Sequence, residues 1–226
     1  MTGSVDVEAW GGKAASGVST GNQLRIGTLA WDKLDIFIDE YSGQGTDGKF
    51  GPNLFAGKVM EINFERSELI SHPTLPDFVL APTSTYKRME FLLQQGSMYL
   101  VGSLVIGDSK IQNKFMLHTG FGGTALLDDE FVQIHKLADR LETISQRDLK
   151  DAFGNTLKTR NVRLRSLDFD GIQFVDIPIE IFDGALGRQK ISVIGGGLIK
   201  QMNLVIDPAN NCLYLSPNRL FGMKSD

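Results

Sequence analysis

A single histidine stands where an apolar strand gives way to a glycine-rich turn. In the stretch KFMLHTGFGGTALLDDEF, residues 114–131, the apolar run ends at His118, and Thr119, Gly120 and Phe121 follow. A strand that leads to one polar side chain at a sharp turn is typical of a functional group held at a loop tip. The chemistry of the site depends on what a histidine does at that position.

Other kinds of chemistry fit this sequence poorly. Two further histidines are present, His72 and His135, and neither stands at zinc-ligand spacing from His118. The glycines of 120–123 and 195–197 match neither a phosphate-binding loop nor a dinucleotide fingerprint. We therefore predict no metal site and no cofactor. We interpret the acidic trio 128–130 as a helix cap and a solvated helix face.

The two halves of the chain repeat each other at a fixed offset. Gly195 follows Gly51 by 144 positions, and the same offset pairs Leu54 with Leu198 and Pro73 with Pro217. The Thr-Gly that follows His118 also has a counterpart in Thr2-Gly3, at the start of the chain, although this pair is offset by 117 positions. The repeat predicts two lobes related by a pseudo-twofold axis, with the two Thr-Gly turns facing each other.

The elements that hold these turns are predicted to be mostly β. Short runs rich in Val, Ile, Leu and Phe alternate with Gly, Asp, Asn and Ser clusters, which is typical of strands and turns. We predict strands over 24–26, 34–38, 59–64, 98–106, 111–117, 162–169, 172–181, 191–194, 202–206 and 213–215. Short helices are expected at 54–57 and 198–200. One longer helix is expected near 128–141, with Phe131, Ile134, Ala138 and Leu141 on one apolar stripe.

Composition narrows the class of protein. The 226 residues carry a net charge of −4, with 42% hydrophobic and 22% charged residues, which suits a globular fold. No long basic run points to nucleic acid, and no apolar run reaches the roughly 18 residues of a membrane span. The single cysteine, Cys212, excludes an internal disulfide. No export signal precedes residue 23, so the compartment stays open, and export of a longer natural form is compatible with the sequence.

The motifs resemble those of bilobal aspartic proteases of the retropepsin-like or pepsin-like kind, in the bacterial form. FMLHTGFGGTALLDDEFV is similar to that family's second Asp-Thr-Gly segment, and VIGGGLIKQMNLVIDPANNCLYLSPN to its C-terminal segment. The resemblance implies two pseudo-symmetric β-barrel-like lobes of acid-protease type, the first truncated at its N-terminus. It divides the chain into a first lobe over 1–76, a linker over 77–88 and a second lobe over 89–226.

The resemblance also implies which residues form the site. Each lobe of the family supplies an Asp-Thr-Gly turn, and the matching positions here are His118-Thr119-Gly120 and Met1-Thr2-Gly3. Both catalytic Asp positions are thus altered, although two carboxylates that share a proton are what the family mechanism requires. An apolar-apolar-Gly element packs behind each turn in the family. We therefore expect Phe50, Leu54, Ile194 and Leu198 to be buried there.

The residues predict a protein with the fold of a protease but without the catalytic groups of that fold. The resemblance implies a peptidase-like protein that takes peptides or proteins in a cleft between the lobes, inactive as written. Two alternatives stay open, a peptide-binding pseudoprotease or a fragment of a longer active aspartyl protease. Whether the chain is an enzyme is left undecided by the sequence.

Overall fold

The computed structural model describes residues 3–9, 12–38, 48–94, 96–150, 156–182 and 189–223. Strands make up most of this part, as predicted. In chain order they are β1 Gly3–Ala9, β2 Gly12–Ile26, β3 Leu29–Phe37, β4 Val59–Asn63, β5 Glu68–His72, β6 Lys87–Glu90, β7 Leu92–Gln94, β8 Ser97–Ile106, β9 Ser109–His118, β10 Ala125–Leu126, β11 Thr143–Lys150, β12 Thr156–Phe169, β13 Ile172–Phe182, β14 Ser192–Gly195, β15 Met202–Asp207 and β16 Cys212–Pro217. The α-helices are α1 Asp77–Leu80, α2 Asp129–Ile134, α3 Leu137–Arg140 and α4 Gly196–Ile199, and 3-10 turns span Pro52–Phe55 and Pro208–Asn210.

A closed six-stranded barrel occupies the second half of the chain. Its strands follow the order β12-β13-β10-β14-β9-β8, and β8 pairs back onto β12 to close the ring. Strand β14 runs parallel to β9 and antiparallel to β10, so it is inserted between the two strands that flank the loop after His118. Leu104, Phe115, Leu164 and Ile179 are fully buried in the main core. Because the barrel is closed, each of its six strands has a neighbouring strand on both sides.

A five-stranded sheet, in the order β5-β4-β15-β16-β6, joins the two halves. At its centre Leu204 pairs with Ile62 and Ile206 pairs with Met60. Met60 and Leu204 are 144 residues apart, and so are Ile62 and Ile206. Exchanging each residue for its counterpart in the other half therefore turns one pair into the other. Such self-exchange is the signature of a twofold axis. The axis passes through the pair Glu61 and Val205, which are themselves 144 residues apart.

The repeat in the sequence is also a repeat in structure. The 3-10 turn Pro52–Phe55 and helix α4 Gly196–Ile199 coincide at the offset of 144. Strands β4 and β5, shifted by the same amount, coincide with residues 203–207 of β15 and 212–216 of β16. Outside this repeat, β1, β2 and β3 form a separate three-stranded antiparallel sheet in the first half.

Several local expectations hold and several do not. The strands predicted over 98–106 and 111–117 are confirmed as β8 and β9, which pair with each other up to Ile106 and Ser109. The predicted helix near 128–141 is broken instead into α2 and α3, because Lys136 adopts a left-handed φ of 51° between them. Ile134, assigned to its apolar stripe, is 65% exposed as a result. Sequence analysis missed the strands β1, β5, β6, β7, β10 and β11 and most of β2.

The segment between the halves is more ordered in structure than a plain linker. Helix α1 lies within it, and Val79 of that helix is buried in a small cluster with Val59, Val205 and Tyr214. The segment thus packs on one face of the five-stranded sheet before β6 joins that sheet. None of the helices in the described ranges is long and apolar enough to cross a membrane.

Candidate functional site

His118 is the last residue of β9, and its imidazole is fixed by the backbone of the loop that follows. The backbone N–H of Phe121 donates both to the carbonyl oxygen of His118, at 3.1 Å, and to its Nδ1, at 3.1 Å. A ring nitrogen that accepts a hydrogen bond carries no proton. The neutral tautomer with its proton on Nε2 is therefore the one that this loop selects.

The electrostatic surroundings of His118 favour the same neutral state. Burial lowers the pKa of the imidazole, and the positive charge of Lys49 lowers it further, while a backbone hydrogen bond acts in the opposite direction. Both main causes penalise the imidazolium cation. At neutral pH the ring is uncharged and offers a single N–H donor at Nε2.

The backbone of residues 195–197 packs closely behind the loop and holds it in place. Gly195, Gly196 and Gly197 donate backbone hydrogen bonds to the carbonyl oxygens of Thr124, Phe121 and Gly123, at 2.8, 2.7 and 3.0 Å. A Cβ on Gly195 would collide with the Gly123 carbonyl and with Phe121. Glycine is needed at 195 because only a residue without a side chain lets the two backbones come this close.

The apolar residues expected behind the turns behave differently in the two halves. Ile194 and Leu198 are 2% and 0% exposed, which confirms the expectation for the second half. Leu54 is partly buried against the main core. Phe50 is 52% exposed, so the expectation was wrong at this residue. Its ring instead packs edge-on against Phe55, with centroids 5.8 Å apart.

The structure describes some of the remaining predicted site residues and not others. Thr119 and Gly120 lie on the exposed tip of the loop. Gly3 is the first residue of β1, and Met1 and Thr2 lie outside the described residues. The facing arrangement of the two Thr-Gly turns therefore stays a prediction.

Lys49 is a residue of this site that sequence analysis missed. Its Cε lies 3.7 Å from the position that a Cβ on Gly120 would take, and its charge acts on His118. A signal for it was present in the repeat, because Lys49 occupies the place that Val193 has in the second half. A lysine at a position that is apolar and buried in the other copy points to a changed role.

A buried carboxylate, Glu180, lies beside the far side of the loop. A Cβ on Gly123 would collide with Oε1 of Glu180. Arg147 donates to both oxygens of this carboxylate, from Nε at 2.9 Å and through a second, shorter contact from Nη2. Burial raises the pKa of Glu180, and the Arg147 charge opposes that rise. Because it is engaged by Arg147, Glu180 acts as a structural ion pair.

The acidic trio is mainly structural, as interpreted, but it is less solvated than expected. Asp128 caps α2 by accepting from the Phe131 N–H at 2.8 Å, and it also accepts from Ser192 Oγ at 2.7 Å. Asp129 is 6% exposed and accepts from the Gln189 N–H at 3.1 Å, so it does not belong to a solvated face. Within the described residues, no group of three or more His, Cys, Asp or Glu side chains is arranged to hold a metal ion.

Comparison with known proteins bears on the fold. No protein-family model matches the chain, and no curated protein matches it. The crystal structure of an aspartic proteinase from Irpex lacteus is similar to it, with a TM-score of 0.57 and 14% sequence identity over 99% of this chain and 83% of that one. This chain has an aspartic-proteinase fold. The predicted fold class, with its mostly β, pseudo-symmetric architecture, is thereby confirmed.

On this aspartic-proteinase fold, the loop after β9 presents a set of groups that differs from a carboxylate pair. The side chains at this loop include a neutral N–H donor on His118, and the ammonium of Lys49 lies beside it. Neither group is an anionic base at neutral pH. The arrangement can donate hydrogen bonds and attract negative charge.

Proposed function

We propose that this protein binds extended peptides at the loop 118–121 and does not hydrolyse them by the two-carboxylate mechanism. The observation that carries the proposal is the hydrogen bond from the Phe121 N–H to Nδ1 of His118. It fixes a neutral imidazole at the position where the resemblance implies a catalytic aspartate. The aspartic-proteinase fold supports a peptide as the ligand.

The chemistry lost with that aspartate is specific. In the carboxylate mechanism one group acts as general base on water, and its partner holds the shared proton. A neutral imidazole whose Nδ1 is occupied presents only a donor, so it does not take a proton from water on that face. General acid–base catalysis alone is worth about 10²–10⁴-fold in rate. The remaining capacity of the loop is to hold a ligand.

Cleavage can be tested directly. The purified chain is incubated with a mixed peptide library from pH 3 to 8, with and without an inhibitor that mimics the aspartic-protease transition state. We expect no inhibitor-sensitive cleavage at any pH. Products that appear in the sample and disappear with the inhibitor would overturn the non-hydrolytic part of the proposal.

Binding requires its own measurement. Immobilised protein is exposed to the same library at pH 7, and the retained peptides are identified by mass spectrometry. Thr119→Trp places a large ring on the exposed loop tip and should abolish retention. Ser109→Trp, at the opposite end of β9, is the matched control and should retain peptides like the unaltered chain. Equal retention by both variants, or none by the unaltered chain, would contradict peptide binding at this loop.

A reconstruction separates this proposal from the alternative of an active peptidase. A variant with His118→Asp and an added apolar strand ending in Asp ahead of Thr2 supplies both carboxylates. Inhibitor-sensitive cleavage by this variant would mean that only the two carboxylates separate this chain from an active aspartic peptidase. A folded variant that binds but does not cleave would favour a dedicated binding role.

A further inference from the structure

The repeat is broken at one pair of residues that lies next to the site. Val193 and Ile194 are each 2% exposed in the second half. At the offset of 144, the first half has Lys49 and Phe50, and both are exposed, Phe50 at 52%. The first half thus turns outward a cation and an aromatic ring where the second half packs two aliphatic side chains.

Of these two side chains, Lys49 lies beside the loop of the other half. Lys49 reaches Gly120 closely enough that its Cε would contact a Cβ there at 3.7 Å. His118, whose Nδ1 is bound to the Phe121 N–H, has its proton on Nε2. Lys49 takes part in further interactions within the chain, and only its positive charge at this position matters here.

The ring of Phe50 packs against another aromatic side chain. It packs against the buried Phe55, which in turn packs edge-on against Trp31 at 5.5 Å. Trp31 is itself anchored by a hydrogen bond from its Nε1 to the Leu54 carbonyl oxygen at 2.6 Å. The exposed face of Phe50 is therefore a supported apolar surface next to the Lys49 charge.

We propose that Lys49, Phe50 and the loop 118–121 recognise a carboxylate that lies next to an apolar side chain of a bound peptide. The inference rests on the proposed peptide binding and names the chemistry that this binding selects. A carboxylate of this kind is either the C-terminus of a peptide or the side chain of an Asp or Glu. An ammonium and an N–H donor match a carboxylate, because charge-assisted hydrogen bonds are stronger than neutral ones.

The electrostatic charge of this site is opposite to that of a carboxylate pair. Two aspartates at the loop tips repel an acidic ligand, whereas Lys49 with a neutral His118 attracts one. The apolar surface of Phe50 adds contact area for a neighbouring side chain. Preference for acidic peptides would therefore be a property of this chain, distinct from peptide binding in general.

The test uses three peptides that share an apolar core containing one aromatic residue. The first has a free C-terminal carboxylate and no acidic side chain, the second is its C-terminal amide, and the third is an amide with one internal Glu. Affinities are measured by fluorescence polarisation at pH 7 with the full chain. The variants are Lys49→Met, Lys49→Arg and Lys110→Met. Lys110 lies eight residues from His118 along β9, roughly 26 Å at 3.3 Å per residue.

We expect the full chain to bind at least one carboxylate peptide about tenfold more tightly than the amide, in line with one charge-assisted contact. Whether the first or the third peptide gains shows which carboxylate source fits. Lys49→Met should remove the preference, while Lys49→Arg and Lys110→Met should keep it. Melting curves of each variant confirm that it is folded.

The possible failures are distinguishable. Equal affinity for all three peptides, or a preference that survives in folded Lys49→Met, would overturn the carboxylate site and leave peptide binding intact. No binding of any of the three, together with an empty library screen, would overturn the proposed function and this inference with it.

Discussion

At the scale of single residues, His118 is an uncharged hydrogen-bonding group, and this has a consequence for stability. Its pKa falls on folding through burial and the nearby Lys49 charge. Above about pH 6.5 the side chain is neutral in both the folded and the unfolded chain. As the pH falls from there through the lower folded pKa, the unfolded chain binds the proton first. The free energy of unfolding then decreases.

We predict that His118→Asn removes this loss of stability at acidic pH. The Asn side-chain oxygen can accept from the Phe121 N–H as Nδ1 does, but it does not titrate. Thermal melting of both proteins is followed from pH 7.5 to pH 5. The midpoint of the unaltered chain should fall more steeply than that of the variant. Parallel curves would show that His118 is not held neutral by the fold.

At the scale of elements, strand β11 lies outside the closed barrel, and an ion pair ties it to the barrel strand β13. Arg147 lies on β11, and Glu180 lies on β13 inside the barrel wall, with side chains 42% and 3% exposed. Thr159 on β12 donates a further hydrogen bond to Glu180 at 3.4 Å. Since Glu180 also lies against the loop at Gly123, this pair connects β11 to the candidate site.

We predict that Arg147→Met destabilises the fold by about 3 kcal/mol, because it leaves a buried carboxylate without its charge partner. The pKa of Glu180 is already raised by burial and should rise further in the variant. Urea denaturation at pH 7 measures the loss, which should shrink as the pH is lowered and Glu180 takes up its proton.

Arg163→Met is the matched control for this change. Arg163 lies on β12 and pairs at 2.9 Å with Asp176, and both side chains are substantially exposed. Exposed ion pairs contribute little to stability, so the urea midpoint should stay close to that of the unaltered chain. Equal midpoints for Arg147→Met and Arg163→Met would mean that the Glu180 pair does not fix β11 to the barrel.

At the scale of the whole molecule, the central sheet makes the two halves depend on each other. The apolar residues of β4 and β15 pair across the pseudo-twofold axis, and both strands contribute to the main core. Removing either half would leave the partner strand with an unpaired edge and an uncovered apolar face. The proposed division at residues 76 and 89 therefore separates units in sequence that share one core.

We predict a single cooperative unfolding transition for the full chain. Both tryptophans, Trp10 and Trp31, belong to the first half, so tryptophan fluorescence follows that half alone. Far-UV circular dichroism follows the strands of both halves. The two signals should give the same urea midpoint, as two-state unfolding requires. A fluorescence transition at clearly lower urea would indicate that the first half unfolds independently.

The sequence by itself determined what depends on local pattern. Alternating apolar runs and turn residues gave most strands of the barrel, and Asp128 at the start of α2 was recognisable as a cap. The offset of 144 revealed the twofold relation from sequence alone, because both copies keep a glycine, at 51 and 195, and a proline, at 73 and 217. The position of His118 at a loop tip follows from the same patterns.

The tertiary structure alone decided which distant residues meet. Lys49 approaches the loop of the opposite half, and Arg147 reaches Glu180 from another strand, although no local periodicity marks either contact. The left-handed Lys136 breaks a helix that its apolar spacing predicts as continuous, because Leu137 is drawn into the core at the expense of Ile134. These contacts depend on pairing between strands that are far apart in sequence. They also depend on which side chains fill the limited volume of the core. Both are properties of the assembled fold, so local sequence pattern does not determine them.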